Sequence, residues 1–242
     1  MLPTKRPSLS IVIPAYNEAG RLGQSLEELT RFFKVEEAEI LLVIEKSMDR
    51  TLAIAEEFAI RHPHVRVLAQ PAQRGKGHAV KTGMLAAQGE IVFYMDADLS
   101  VPLQSVTTFL DFFDRTPSAS ILIGSRQHPE SDIVTAQGWL RRSMGQTFNH
   151  LVRLFSGIPW RDTQCGFKAF RREVARELFS LQTLDGFAFD VEILLLARQR
   201  DLRIVELAVV WQNSVDSKVH IVRDSLRMMR DIWRLRSRKS SR

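Results

Sequence analysis

After a short polar start, the chain enters an apolar, β-branched run, Ser8–Pro14, that a proline stops. A short run of this kind reads as a buried strand. Leu22, Leu26, Leu29 and Phe33 then recur at the three- and four-residue spacing of a helix with one apolar face. The change of period repeats along the chain. Glu39–Ile44 reads as a second strand and Asp49–Arg61 as a second helix, and Val65–Leu68 as a third strand before a helix over Arg74–Gln88. Glu90–Met95 makes a fourth strand, Pro102–Asp114 a helix with proline in its first turn, and Ser120–Gly124 a fifth strand. Such alternation is the signature of right-handed βαβ units on a parallel sheet. Beyond Arg126 it loosens. A polar loop, Gln127–Gln137, leads to an expected helix over Trp139–Phe155, helices near Arg172–Ser180 and Ala188–Arg200, a late strand Arg203–Trp211 and a terminal helix.

Composition adds boundaries to this α/β outline. The chain has 242 residues, 45% hydrophobic and 26% charged, with no Pro/Gly/Ser-rich linker. That composition is ordinary for a globular domain, and the length suffices for one full core. The expectation is a single domain over residues 8–235 and a basic, disordered tail over 236–242. One cysteine, Cys165, excludes a disulfide framework. The start, MLPTKRPSLS, is not read as a signal peptide, because no apolar stretch follows its basic residues. No run reaches the roughly 18 apolar residues of a membrane span. The expected location is therefore cytoplasmic, soluble or peripheral at the cytosolic membrane face.

The net charge of +6 sits at one end: Lys218 to Arg242 holds nine basic residues against Asp224 and Asp231. Val222, Leu226, Met229 and Trp233 make an apolar helical stripe, with Arg223, Arg227, Arg230 and Arg234 one step around. A basic stripe beside an apolar one suits a helix lying on an anionic membrane surface. It equally suits a helix packed on the domain with its arginines in water.

Three segments carry candidate chemistry. Asp96-Ala97-Asp98-Leu99-Ser100 follows the fourth strand directly. The carboxyl ends of strands form the edge where open α/β sheets bind ligands, and paired carboxylates are the hard ligands Mg²⁺ or Mn²⁺ prefers, with substrate phosphates completing the shell. Asp is also a common turn residue, so the pair alone is a weak signal. Pro14-Ala15-Tyr16-Asn17-Glu18 leaves the first strand on the same edge of a parallel sheet. There Tyr16 could stack on a base and Glu18 bind a ribose, or Asn17 and Glu18 could simply open the next helix. Gln73-Arg74-Gly75-Lys76-Gly77-His78 leads into a helix and offers a cation and free amides to phosphate, without being a Walker loop.

In this order and spacing, PAYNE, RGKGHAVKTGM and MDADLS resemble the family 2 inverting glycosyltransferases of GT-A fold. Ile123–Arg126, Arg161–Lys168 (RDTQCGFK) and Gly186–Glu192 (GFAFDVE) resemble their polyprenyl-phosphate branch, the dolichyl-phosphate β-glucosyltransferases in particular. The resemblance runs from about Ser8 to Trp233. It implies a Rossmann-like, mostly parallel sheet and transfer of a hexose, glucose from UDP-glucose, to a polyprenyl or dolichyl phosphate. Pro14, Tyr16 and Glu18 would line the nucleoside pocket, Asp96 and Ala97 would meet ribose or donor sugar, and Asp98 with Ser100 would hold Mg²⁺ or Mn²⁺. Lys76, Arg126 and Lys218 would contact phosphates, and Asp190 and Glu192 would fall near the acceptor. These two are two apart on a helix and do not share a face, so one, Asp190, is expected in the site. Asp190 and Arg126 are the catalytic assignments. The chain departs from the family at the turn after the second strand. An Asp-Asp-Gly-Ser-type turn is replaced by Ile44-Glu45-Lys46-Ser47, leaving Glu45 to take over contact with the base.

A phosphate nucleophile needs no proton removed, since its second pKa is about 6. Its approach needs cations, and Arg141 and Arg142 are the expected acceptor-binding pair unless they are only a solvated helix face. Other readings fit parts of the pattern: a GDP-mannose donor, a hydroxyl acceptor, a non-catalytic nucleotide-sugar binder, or a nucleic-acid binder, against which the confinement of charge to the tail argues.

Overall fold

The computed structural model describes residues 8–34, 37–134, 152–212 and 221–239. Seven strands form one sheet, built from both halves of the chain: β1 (Leu9–Ala15), β2 (Ala38–Ile44), β3 (Val65–Ala69), β4 (Ile91–Met95), β5 (Ile121–Ser125), β7 (Phe167–Arg171) and β8 (Ile204–Ala208). Their spatial order is β3-β2-β1-β4-β7-β5-β8. The short β6 (Asp132–Ile133) pairs with β9 (Val210–Trp211) in a separate two-stranded ribbon. The late strand expected over Arg203–Trp211 therefore divides at Val209 between two sheets.

Helices cover both faces. The first face carries α1 (Leu22–Phe32), α2 (Thr51–Arg61) and α4 (Gln104–Arg115). Leu22, Leu26 and Leu29 of α1 meet Ile11, Ile13, Phe93 and Phe109 there. The other carries α3 (Lys76–Ala86), α5 (Arg172–Leu181), α6 (Phe189–Arg198) and α7 (Ile221–Lys239). Val80, Leu178, Leu194 and Ile232 pack there on Val12, Leu41 and Tyr94. A central strand buried by helices on both faces has no polar side to alternate with, which is why β1 and β2 read as continuous apolar runs.

Among the described residues one strand of the large sheet, β7, runs against its neighbours, and the sequence reading missed it. Tyr94 of β4 is paired with Lys168 of β7, and Met95 with Phe167. Phe167 and Ala169 point to one core and Phe170 to the other. The lysine at its centre hides a strand in which Phe167, Lys168, Ala169 and Phe170 are all buried. The expected helix over Trp139–Phe155 lies largely outside the described residues, although 152–156 are helical.

The terminal helix packs by a different stripe from the expected one. Met228 and Ile232 are buried, with Met229 and Leu235 packed beside them, while Trp233 is 67% exposed. The core takes Met228 and Ile232 at i, i+4, so Trp233, one position on, is turned to solvent beside Arg230 and Arg234. The helix continues through Lys239, past the expected end at 235.

Candidate active site at the carboxyl edge of the sheet

The topology gathers the candidate residues. β1, β2 and β4 are parallel, so Tyr16–Glu18, Glu45–Asp49 and Asp96–Ser100 leave the sheet on one edge. β5 runs the same way, being antiparallel to β7, which brings Arg126 to that edge too. β7 enters the sheet where its neighbours leave it, so Asp162, Cys165 and Gly166 arrive there as well.

The Asp96–Ser100 turn is shaped by its own backbone. The Leu99 amide donates to the Asp96 carbonyl at 3.2 Å and the Ser100 amide to Asp98 Oδ1 at 3.1 Å. Leu99 sits at φ 49°, a left-handed conformation that costs a non-glycine residue roughly 1–2 kcal/mol. Strain of this kind persists where surrounding contacts hold it, and it gathers at ligand-binding turns. Gly166 makes room for the turn. A Cβ there would lie 2.1 Å from Asp96 Oδ2, so the Cys165-Gly166 backbone forms a close cradle for this carboxylate.

Glu18, Asp96, Asp98 and Asp162 on this edge each have a cation. Lys76 Nζ lies 2.6 Å from Asp96 Oδ1. Burial works to lower the Lys76 pKa, but Asp96, with Asp190 and Asp98 behind it, outweighs that and leaves it raised. Arg21, just ahead of α1, holds Glu18 through Nε and Nη2 and reaches Asp98 Oδ2 at 3.5 Å from Nη1. Arg126 makes a forked pair with Asp162, 2.7 Å from Nε and 2.9 Å from Nη2, and donates its amide to the same carboxylate at 3.0 Å. Its guanidinium also stands over the Trp211 ring, 5.8 Å from the centroid. Burial raises the Asp162 pKa, yet Arg126 more than offsets this and holds the carboxyl below its ordinary range. Beside this pair burial, reinforced by Asp162, pushes the Cys165 thiol up to about 12. At neutral pH it is a thiol.

Asp190 and Glu192 diverge. Asp190 is buried, accepting from Lys168 Nζ at 2.6 Å and from the Tyr94 hydroxyl. Lys168 also donates to Tyr94 Oη at 2.9 Å and to the Cys165 carbonyl at 2.7 Å, which uses the three donors of an ammonium. Burial and then Asp190 push the Tyr94 hydroxyl pKa well above its ordinary value. Glu192 turns away and accepts the amides of Thr183 and Leu184 at 2.8–3.0 Å, fastening the 182–184 loop. Tyr94 and Lys168 were not singled out from the sequence. Their signal was present in the buried-strand pattern around Tyr94 and the GFK run, but the strand pairing that joins them was not.

Glu45 is buried, and its Oε1 accepts the amides of Arg74 and Gly75 at 2.7 and 2.6 Å. It thereby fixes the loop that presents Lys76. Gly75 has φ 125°, and a Cβ there would lie 2.6 Å from the Asp185 carbonyl oxygen, so this close approach needs glycine. Around PAYNE, the Asn17 amide donates to Ser47 Oγ at 3.0 Å, and Asn17 Oδ1 accepts the Met48 amide at 2.8 Å. The first two strand ends are thus laced into one wall. Arg141, Arg142 and Lys218 lie outside the described residues.

Among the described residues no three His, Cys, Asp or Glu side chains gather that could hold a metal ion unaided. The donor set still fits a hard divalent ion that shares its shell with a ligand's phosphates, because Asp98 offers a carboxylate oxygen at the edge, only 18% exposed, and the turn holds Asp96 beside it.

This sheet and edge are the plan of a GT-A glycosyltransferase. The structure resembles mannosyl-3-phosphoglycerate synthase from Rubrobacter xylanophilus with a TM-score of 0.72 at 21% identity, covering 98% of this chain and 76% of that one. It also resembles glucosyl-3-phosphoglycerate synthase from Mycobacterium tuberculosis, crystallised with Mn²⁺ and UDP, with a TM-score of 0.66 at 18% identity, covering 94% and 80%. The profile of glycosyl transferase family 2 matches residues 10–179, and the chain belongs to that family. Its curated relatives include the dolichyl-phosphate β-glucosyltransferase of Drosophila melanogaster, 37% identical over 93% of this chain and 73% of that protein. The enzyme of the same name from Dictyostelium discoideum is 34% identical over 95% of this chain and 74% of the relative. The chain thus spans about three quarters of the length of these relatives.

Proposed function

We propose that this glycosyltransferase moves glucose from UDP-glucose, with inversion, onto a polyprenyl or dolichyl phosphate at a membrane surface. The observation that carries the acceptor class is the pairing of acids. Glu18, Asp96, Asp98, Asp162 and Asp190 each face an arginine or lysine. These side chains are already engaged in ion pairs, which suits them to hold cations in place rather than to deprotonate a hydroxyl. A phosphate monoester arrives already ionised and needs no base. Transfer then requires that an anionic nucleophile approach and an anionic diphosphate leave, a task for cations. The relatives' names, dolichyl-phosphate β-glucosyltransferase, support glucose as the transferred sugar and dolichyl phosphate as the acceptor on this reading.

Pro14, Tyr16 and Glu18 form the nucleoside wall, Glu45 supports it by holding the Lys76 loop, and Asp96 with Ala97 faces ribose or sugar. Lys76, Arg126 and Lys218 bind phosphates of donor and acceptor, and Arg141 and Arg142 bind the acceptor. Asp190 positions rather than abstracts a proton: it ties α6 to β4 and β7 behind the Asp96–Asp98 turn. Asp98 and Ser100 would hold Mg²⁺ or Mn²⁺, which supplies charge neutralisation for the departing diphosphate. Among the described residues no helix is long and apolar enough to cross a membrane. The basic α7 with its outward Trp233 is the surface that suits an anionic bilayer.

Asp98→Asn removes a charge with little change in shape and is expected to abolish Mn²⁺-dependent UDP binding in calorimetry. Unchanged affinity would refute the donor site. Transfer assayed over UDP- and GDP-sugars with a polyprenyl phosphate then fixes the donor, and preference for a hydroxyl acceptor would refute the phosphate reading.

A further inference from the structure

Arg21 had no place in the sequence reading, yet it touches both of the acidic segments at the edge. Its guanidinium holds Glu18 of the PAYNE segment, at 2.9 Å through Nη2, and comes within 3.5 Å of Asp98 in the Asp96–Ser100 turn. On the other flank Lys76 holds Asp96 at 2.6 Å and is also drawn electrostatically to Asp98. The two carboxylates of the turn are thus each matched by a cation from the start of a different helix. The side chains of Arg21 and Asp98 are 23% and 18% exposed, so water screens this contact only in part.

We propose that Arg21 makes metal binding conditional on nucleotide: with Arg21 beside Asp98, a divalent cation binds tightly only together with a nucleoside diphosphate. The inference deepens the donor reading above and rests on it. An ion arriving alone at Asp98 meets a guanidinium and an ammonium, and no three-acid cluster among the described residues offsets that repulsion. A nucleoside diphosphate changes the balance, because its charge faces the metal, Arg21 and Lys76 together and its oxygens join the metal's shell. Coupling of this kind is reciprocal, so the metal raises nucleotide affinity by the same factor as nucleotide raises metal affinity. Arg21 acts through Asp98 and is a positioning residue.

The test is Mn²⁺ binding to the full chain, read from the electron paramagnetic resonance signal of free Mn²⁺ at constant ionic strength, without and with saturating UDP. For the unchanged protein UDP is expected to tighten Mn²⁺ binding at least ten-fold. Arg21→Gln is expected to tighten Mn²⁺ binding in the absence of UDP about five-fold or more and to shrink the gain from UDP by a similar factor. Arg21→Lys, which keeps the charge, is expected to restore most of the coupling. A folded Arg21→Gln protein with the same Mn²⁺ affinity and the same gain from UDP would overturn the inference while leaving the donor reading intact. Should Arg21→Gln not fold, Glu18→Gln removes one acid that neutralises Arg21 and is expected to deepen the coupling; unchanged or shallower coupling there overturns the inference as well. If the unchanged protein shows no Mn²⁺-dependent UDP binding, the donor reading falls and takes this inference with it.

Discussion

Asp162 shows how much one side chain can hold. It is fully buried, forks to Arg126 and receives the Arg126 amide, while its own amide donates to Glu206 at 2.9 Å. Asp162→Asn would leave Arg126 without its countercharge, at a cost of about 3 kcal/mol. This is the low end for breaking a buried pair, because Arg126 keeps about a third of its side chain in water. The pKa direction gives a pH signature. The Asp162 carboxyl titrates lower in the folded protein than in the unfolded chain, so its stabilisation is complete above the ordinary carboxylate range. It is lost as pH falls through that range toward the lower folded value. Urea unfolding from pH 7 down to about 3 is expected to show a shallower acid loss in Asp162→Asn than in the parent. Parallel curves would mean that Arg126 does not depress this carboxyl.

At the scale of elements, β7 decides the site. It inserts antiparallel between two parallel strands and carries Lys168 into the core opposite Tyr94, where α6 supplies Asp190. An ion pair this deep need not add net stability, but removing one partner strands the other. Lys168→Met is expected to cost roughly 3–5 kcal/mol, lowering the melting temperature by about 10 °C for a chain of this size. Lys168→Met with Asp190→Leu should recover a substantial part of this, since neither charge is then left unpaired. Calorimetric melting of the two variants checks it. Equal destabilisation in both would show that β7 depends on packing at these positions and not on the pair. The same scale explains the terminal helix: periodicity showed that it has an apolar side, but the shape of the surface beneath selected Met228 and Ile232 and turned Trp233 outward.

Over the whole molecule, charge separates from chemistry. The edge of the sheet balances acids with cations, while the excess positive charge lies from Lys218 onward. Leu235 packs against the core, so a truncation that spares the fold begins after it. Removing residues 236–242 takes away Arg236, Arg238, Lys239 and Arg242 without an apolar residue. Donor binding is expected to survive, and co-sedimentation with anionic vesicles to weaken, each lost cation counting for about 1 kcal/mol near such a surface. The difference should vanish near 1 M salt, where the Debye length is about 3 Å. Equal pelleting at low salt would exclude these residues as the membrane contact.

The alternation of apolar runs and helical stripes from Leu9 to Ser125 was enough to specify parallel strands and covering helices, because both periods follow from backbone geometry alone. The Asp96–Asp98 pair was legible for the same reason: a strand that ends in acids puts them at an edge. What lay outside the reach of the sequence was every pairing between distant segments. Lys168 with Asp190, Arg126 with Asp162, Arg21 with Asp98 and Glu45 with the Lys76 loop join residues from 22 to 77 positions apart. Local patterns record which face a residue takes, whereas its partner across the sheet is chosen by strand order and by the need of each buried charge for a counterion. Only the tertiary structure satisfies those two conditions together.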